Sequence, residues 1–339
     1  MSHRTNDIIA RQITAQTESA GKDHGFDETH NPRLPADHWF QDTPEGRCLF
    51  LVFYTQACRW SRCVSCNLPS RLSLQQVARA DLMKQIDFVF DFLLSTEQKN
   101  KLARIIISNN GSILDEVTFS TTALLYFVSR MSVECQEMKV LSIETRCEYV
   151  DWHELQVLAR ALGEAPNPAR LELAVGFEAF DDKIRNEIFF KGLSLEVFEK
   201  TTRMVARHGF SLKAYFMLKP IPGMSNDEAV EDIHRAIDYL SALSQKFGLP
   251  INIHLNPTYV ASGTLLEDAF LRGDYSPPSL ESVIRAIRHA NGTNVSVFVG
   301  LNDEGLAVAG GSFLDGADPS QLQMLQKFNR TQEFEALGS

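Results

Sequence analysis

Residues 48–66 read CLFLVFYTQACRWSRCVSC, an apolar run followed closely by three cysteines. The apolar run, residues 48–55, predicts a buried β-strand. Cys58, Cys63 and Cys66 then lie on the loop after that strand, in the spacing C-x4-C-x2-C. Three thiolates on one loop can bind three irons of a [4Fe-4S] cluster and leave the fourth iron open to an outside ligand. The alternatives are three ligands of a zinc site, or thiols packed in an apolar interior.

Outward from this stretch, short apolar runs alternate with helix-length amphipathic segments along most of the chain, which predicts βα units on a parallel sheet. The runs that predict strands are residues 48–55, 103–108, 139–144, 170–177, 212–218, 251–256 and 295–300. The segments that predict helices are residues 72–94, 117–131, 152–162, 195–208, 226–247 and 280–290. We therefore expect an α/β fold, a partial (βα)6-type TIM-like barrel of parallel strands.

The two ends of the chain differ from this alternating part. Residues 1–46 are polar and rich in Thr, Asp, Glu and Pro, so we expect a loose N-terminal arm. The catalytic barrel should span residues 47–300. Residues 301–339 form a C-terminal extension in this prediction.

Composition excludes several classes of function. The 339 residues carry 43 Asp and Glu against 33 Lys and Arg, a net charge of -10, which disfavours a protein that depends on binding the phosphates of long nucleic acids. No apolar run approaches the roughly 20 residues that cross a bilayer, and the start of the chain lacks the apolar core of a signal peptide. We expect a cytoplasmic protein, in which six cysteines are metal ligands or reactive thiols more often than disulfides.

Further segments resemble one family of enzymes. They are NNGSILDEV (109–117), SIETRCEYV (142–150), VGFEAFDDKIR (175–185), LKPIPGMSNDEAVED (218–232) and NPTYVASGTLLE (256–267). With the cysteine loop, they resemble radical S-adenosylmethionine (radical SAM) enzymes, in the branch that holds the archaeosine synthase radical SAM subunit and, more distantly, the Elongator catalytic subunit. The resemblance covers about residues 48–289 and implies an enzyme with two cofactors, a [4Fe-4S] cluster and S-adenosylmethionine (SAM).

The resemblance also implies roles for single residues. Cys58, Cys63 and Cys66 would ligate the cluster. Residues at the ends of later strands would bind the amino group, carboxylate, sulfonium, ribose and adenine of SAM, and these are Asn109, Asn110, Gly111, Ser112, Glu144, Arg146, Glu178, Lys219, Asn256 and Val260. Strand C-termini form the face on which a βα barrel builds its active site.

The chain departs from the family pattern at the cysteine loop. Most members space the first two cysteines by three residues, and Ser65 stands where an aromatic residue usually shields the adenine. Trp60 is a candidate substitute, with packing beneath the loop as the alternative. Cys147 lies just beyond a predicted strand, where it is either a catalytic thiol that binds substrate or a small residue that fills the loop. Cys48 is expected to pack in the interior, and Cys135, in the loop before the strand at 139–144, is expected to have no functional role.

Several reactions fit these features. Cleavage of one C–S bond of SAM gives a 5'-deoxyadenosyl radical, and cleavage of another gives a 3-amino-3-carboxypropyl radical. Because the chain is acidic and carries spare thiols, we favour a small-molecule substrate, specifically transfer of a 3-amino-3-carboxypropyl group to trivalent arsenic, as in arsinothricin-type biosynthesis. The alternatives are modification of a tRNA base, as in archaeosine synthesis, and a non-enzymatic cluster or zinc-binding module. Flavodoxin or ferredoxin is the expected electron donor, and no membrane partner is expected.

Overall fold

The structure is a computed structural model that describes residues 3–338, with side chains from residue 6 onward. The chain divides into two compact units. The first unit comprises the residues up to 16 together with 25–61 and 68–174. The second comprises 17–24, 62–67 and the residues from 175 onward. Among the described helices, none has the length and apolar character needed to cross a lipid bilayer.

Eight strands and ten α-helices make up the described fold. The strands are β1 (Asp37–Thr43), β2 (Gly46–Val52), β3 (Leu102–Ser108), β4 (Val140–Thr145), β5 (Arg170–Glu178), β6 (Ser211–Leu218), β7 (Ile251–Pro257) and β8 (Val295–Val299). The helices are α1 (His3–Ser19), α2 (Arg79–Phe88), α3 (Thr96–Lys101), α4 (Thr121–Glu134), α5 (Trp152–Gly163), α6 (Leu195–Arg207), α7 (Asn226–Phe247), α8 (Leu265–Leu271), α9 (Leu280–Arg288) and α10 (Pro319–Thr331).

In the first unit the strands follow the order β1-β2-β3-β4-β5. β1 is antiparallel to β2, and β2, β3 and β4 are parallel. Every residue of β3 is buried, as expected for a strand covered on both faces. Phe53 packs against Phe119 and Phe127, with ring centroids 4.9 and 5.8 Å apart. These apolar side chains form part of the core of the first unit.

The predicted loose arm is ordered over much of its length. Helix α1 buries Ile9, Ala10 and Ile13, three residues at helical spacing on one face. β1 pairs with β2 along its whole length, and Trp39 stacks on Phe50 with centroids 4.1 Å apart. A few apolar side chains at the right spacing therefore order a segment whose composition is polar.

In the second unit the strands follow the order β5-β6-β7-β8, and β6, β7 and β8 are parallel. Phe177 packs between Phe198 and Phe216, with centroids 4.8 Å from each. Helix α7 begins at Ser225, whose hydroxyl accepts a hydrogen bond from the Glu228 amide in a capping box. A serine also caps the start of each of α6 and α9.

The C-terminal extension includes α10, which packs beside β8. The Asn329 side chain accepts a hydrogen bond from the Val299 amide and donates one to the Val299 carbonyl, both at 2.8 Å. Gln332 makes the same pair of contacts with Val297, at 3.2 and 2.8 Å. The backbone of β8 is thus hydrogen-bonded by side-chain amides on the side away from β7.

All seven predicted strands are present, and the predicted α/β fold class with parallel strands in chain order is confirmed. The helix predicted over residues 72–94 begins only at Arg79. The Ser73 amide and carbonyl bond instead to Thr55 and Ala57, so the backbone before α2 is extended beside the cysteine loop. The sequence patterns did not predict α1, α3, α8, α10 or β1.

Candidate active site

The cysteine loop follows β2 as predicted. Cys58 belongs to the first unit, and Cys63 and Cys66 belong to the second. All three are partly exposed, whereas Cys48 and Cys135 are buried. The Cys66 amide donates to the Cys63 carbonyl at 3.2 Å, which places the last two cysteines on one turn. Among the side chains of residues 6–338, no three from His, Cys, Asp or Glu are grouped as they would be around a single metal ion.

In the first unit, the loop after β3 holds a buried acceptor. The Asn109 side-chain nitrogen donates to the Thr118 hydroxyl at 3.2 Å and to the Ser112 carbonyl at 3.4 Å. Its side-chain oxygen is buried and accepts no hydrogen bond from the described residues. The loop also approaches the first cysteine, because a Cβ on Gly111 would lie 3.3 Å from the Cys58 Cα. A buried amide oxygen without a donor is suited to an ammonium group, such as the amino group of SAM.

Glu144 and Arg146 lie at the end of β4, next to this loop. The Ser112 hydroxyl accepts a hydrogen bond from the Arg146 amide at 3.1 Å, and the Glu144 carbonyl accepts one from the Ile113 amide at 2.9 Å. The Arg146 guanidinium lies over the Trp60 ring, 4.4 Å from its centroid. Trp60, the candidate adenine cover, is therefore in contact with Arg146.

An ion pair that sequence reasoning missed holds the start of the cysteine loop. Arg59 donates two hydrogen bonds to the Asp115 carboxylate, at 2.5 and 2.8 Å, and its guanidinium lies 5.1 Å from the Tyr149 ring centroid. Burial opposes the charge on Arg59, but the hydrogen bond and charge of Asp115 raise its pKa. No spacing in the sequence links positions 56 residues apart.

Cys147 begins a short 3-10 turn, Cys147–Tyr149, directly after Arg146. Its residue surface is 9% exposed, so the thiol lies near the strand end but mostly within the first unit. Its proposed catalytic role stays a prediction.

In the second unit, Glu178 is the last residue of β5, and Lys219 directly follows β6. The Lys191 amine donates to the Glu178 carboxylate at 2.7 Å, above Gly176. A Cβ at Gly176 would overlap both side-chain ends of this pair, so glycine leaves room for it. Lys219 is buried, its amine lies 3.4 Å from the Ser276 hydroxyl, and burial lowers its pKa. The Lys219 carbonyl accepts a hydrogen bond from the Tyr275 hydroxyl at 2.8 Å, which fixes the backbone there.

The remaining predicted positions also lie in the second unit. The Asn256 side chain occupies the space that a side chain at Gly300 would need. Val260 is fully buried in an apolar cluster with Leu266, Ala269 and Tyr275. Its amide donates to the Gly311 carbonyl and its carbonyl accepts from the Val308 amide. The backbone and side chain of Val260 are thus both engaged within the protein.

Ser65 forms a specific contact in place of the aromatic residue expected there. Its hydroxyl donates to the Pro220 carbonyl at 2.6 Å. Pro220 follows Lys219 directly, so this bond joins the cysteine loop to the end of β6 inside the second unit. The serine that replaces the expected aromatic residue at position 65 therefore helps to fix the cysteine loop.

Three predicted site residues have left-handed backbone conformations at the end of a strand or within two residues of it. The φ angles are 51° at Asn110, 75° at Glu178 and 65° at Lys219. Such angles are uncommon for residues other than glycine and cost about 1–3 kcal/mol each. Strained backbone of this kind concentrates at binding and catalytic sites. Residue type alone gave no signal for the strain at Glu178 and Lys219.

Known proteins resemble this chain in sequence and in structure. No family model matches it. It is 29% identical over 249 residues to archaeosine synthase subunit beta of Methanosarcina acetivorans, covering 73% of this chain and 67% of that protein. It is 24% identical over 248 residues to archaeosine synthase subunit beta of Thermococcus kodakarensis, covering 71% of each.

Among solved structures, Elp3 of Methanocaldococcus infernus superposes with a TM-score of 0.43 at 19% identity, over 65% of this chain and 51% of that chain, so about half of Elp3 is spanned. Spore photoproduct lyase gives a TM-score of 0.46 at 13% identity, over 69% of this chain and 72% of that chain. The sequence relatives confirm the resemblance to the archaeosine synthase subunit and the prediction that the chain is an enzyme. The roles of the single site residues stay predictions.

Proposed function

We propose that this chain is a radical SAM enzyme that holds a [4Fe-4S] cluster on Cys58, Cys63 and Cys66 and binds SAM with residues at the ends of its strands. When bound, the two cofactors supply one-electron cleavage of a C–S bond, which starts radical chemistry on a substrate. The three thiols fit the cluster in kind and number, since they leave one iron for SAM.

The observation that carries the proposal is the buried Asn109 oxygen. A buried polar atom without a hydrogen-bond partner costs about 1–3 kcal/mol, and a bound ammonium removes that cost. The atom lies in the loop where the family binds the SAM amino group, and Gly111 of the same loop approaches Cys58. An amino group placed there would lie beside a cluster ligand.

The other strand-end residues orient SAM and keep water out. Lys191 holds the Glu178 carboxylate in one direction, so its oxygens can accept hydrogen bonds from ribose hydroxyls. Stacking on Trp60 orients the Arg146 guanidinium, a fork-shaped donor suited to a carboxylate. Lys219 is a buried cation suited to an anionic group.

For the substrate we propose a base of tRNA, which the enzyme would modify. Two relatives are named archaeosine synthase subunit beta, and that name also places them in assemblies with another subunit. A chain with a net charge of -10 would then obtain most of its tRNA affinity from a basic partner subunit. An electron donor of the flavodoxin or ferredoxin type completes the proposed system.

A second candidate is transfer of a 3-amino-3-carboxypropyl group to trivalent arsenic. One observation favours it, since Cys147 supplies a thiol directly after Arg146 at the end of β4. Thiolates are the soft ligands that thiophilic elements prefer.

Product analysis separates these candidates. The chain is reconstituted anaerobically with iron and sulfide, reduced with dithionite, and incubated with SAM plus either unmodified tRNA or arsenite. About four irons per chain and 5'-deoxyadenosine formation stimulated by tRNA would support the first candidate. Methylthioadenosine with a new organoarsenical would support the second. Failure of the chain to bind iron, or loss of iron in Cys135→Ala but not in Cys63→Ala, would refute both.

Measuring SAM affinity tests separately whether the buried Asn109 oxygen contributes to SAM binding. Asn109→Ala should weaken SAM binding about tenfold because the acceptor is lost. Thr118→Val is the matched control, since it removes a partner of the Asn109 nitrogen and leaves the oxygen in place. Equal loss of affinity in both variants would show that Asn109 acts only through the loop.

A further inference from the structure

Lys22 is an unusual lysine in the second unit. It is 3% exposed, and its amine donates to the carbonyl of Cys66, the last of the three clustered cysteines, at 3.0 Å. No carboxylate of residues 6–338 forms an ion pair with it. Burying an ammonium without a negative partner is costly, so such a lysine indicates a negative charge nearby.

The segment around Lys22 is fixed against the rest of its unit. The Lys22 amide donates to the Thr17 carbonyl at 3.2 Å, and the Asp23 amide donates to the Gly263 carbonyl at 3.1 Å. Gly263 has φ of 68°, and a Cβ there would lie 2.8 Å from the His24 amide nitrogen. This close packing directs Lys22 into the interior beside Cys66.

The same part of the unit positions the cysteine. The Asn67 side chain donates to the Ser262 carbonyl at 3.1 Å, next to Gly263. Residues 22–24 and residues 66–67 thus contact the same short loop before α8. The residues that follow Lys22 and Cys66 are therefore anchored to the same loop, and the hydrogen bond from the Lys22 amine to the Cys66 carbonyl joins the two segments.

A cluster held by three thiolates carries net negative charge, and the charge grows by one when the cluster is reduced. A fixed cation beside a ligand therefore stabilises the reduced form more than the oxidised form. Net charge, hydrogen bonds to the sulfurs and burial are the protein's means of setting a cluster potential, and Lys22 supplies positive charge beside Cys66.

We infer that Lys22 is the buried counter-charge of the cluster and raises its reduction potential, so that an electron donor can reduce it. This inference rests on the proposed function, because it requires the cluster on Cys58, Cys63 and Cys66. Lys22 is a positioning and tuning residue that acts through Cys66.

Redox titration of the reconstituted protein, followed by the electron paramagnetic resonance signal of the reduced cluster, tests the inference. At the wild-type midpoint potential, Lys22→Met should lower the ratio of reduced to oxidised cluster about tenfold, a shift of about 59 mV for a one-electron couple. Lys22→Arg keeps the charge and should retain most of the wild-type ratio. Lys200→Met, which removes an exposed lysine of α6, is the control and should leave the ratio unchanged.

Lys22→Gln separates charge from hydrogen bonding, because it keeps a donor without the cation. A reduced ratio in Lys22→Gln as in Lys22→Met supports the counter-charge. A wild-type ratio in Lys22→Gln, or equal potentials in wild type and Lys22→Met, overturns it. If wild type assembles no cluster, the proposed function itself has failed, whereas a normal wild-type cluster with an unchanged variant potential refutes only the role of Lys22.

Discussion

Lys219 offers a direct test of the strained backbone at the proposed SAM site. Two variants, Lys219→Gly and Lys219→Ala, delete the same amine and differ only in backbone freedom. A left-handed conformation costs a residue with a Cβ about 1–2 kcal/mol, and glycine loses about 0.5–1 kcal/mol more than alanine in conformational entropy on folding. With φ of 65°, the glycine variant should be more stable than the alanine variant by about 0.5–1 kcal/mol.

Urea unfolding of the two variants without cofactors measures this difference. The matched control is the same pair at Lys213, inside β6, where φ is not positive and alanine should be the more stable residue. A reversed sign between the two positions would support strain at Lys219. Equal stabilities of the glycine and alanine variants at position 219 would refute it. Both Lys219 variants should also bind SAM more weakly than wild type, because neither has the amine.

Four further predictions follow from the packing. Arg104→Met should lower the free energy of unfolding by about 3–5 kcal/mol, since it removes the cation that lies 2.6 Å from the buried Glu172 carboxylate. Adding Glu172→Leu should restore most of the loss in urea unfolding. Gly176→Ala should weaken SAM binding measured by calorimetry without changing the unfolding midpoint, because the added Cβ displaces only side-chain ends. Burial raises the pKa of Cys135 to about 12, so iodoacetamide at pH 8 should label the cysteine loop of the iron-free protein and not Cys135, as mass spectrometry would show. Burial lowers the pKa of Lys219 below its value in the unfolded chain. The free energy of unfolding of wild type should therefore rise relative to that of Lys219→Met as pH increases from the folded pKa toward about 10.5. A constant difference in unfolding free energy across that range would contradict this.

The strands were predictable because their signal is local. Within the segment ARIIIS (103–108), residues 105–107 are three consecutive isoleucines, and β3 is buried throughout. Helix α1 escaped prediction because only a few apolar side chains, among them Ile9 and Ile13, order an otherwise polar segment. The burial of α1 depends on tertiary packing, which cannot be inferred from amino-acid composition.

In the candidate site, too, some features could be predicted from the sequence and others could not. The cysteine spacing and the strand-end positions could be found in the sequence, since both follow from the order of residues along the chain. The partners that fix them could not. Asp115 lies 56 residues from Arg59, and Lys22 lies 44 residues from Cys66. Such pairs become visible only when the fold brings distant segments together.

Asn329 and Gln332 bear on how the protein behaves at high concentration. Their side-chain amides hydrogen-bond to the backbone groups of β8 that face away from β7. They take the place of a neighbouring strand there, without adding unpaired backbone groups of their own. An uncovered edge of this kind is a template on which another polypeptide can pair. Helix α10 and the residue that follows it therefore cover the edge of β8. Truncation before Pro319 would expose this edge to pairing with another polypeptide, and we expect the truncated protein to self-associate.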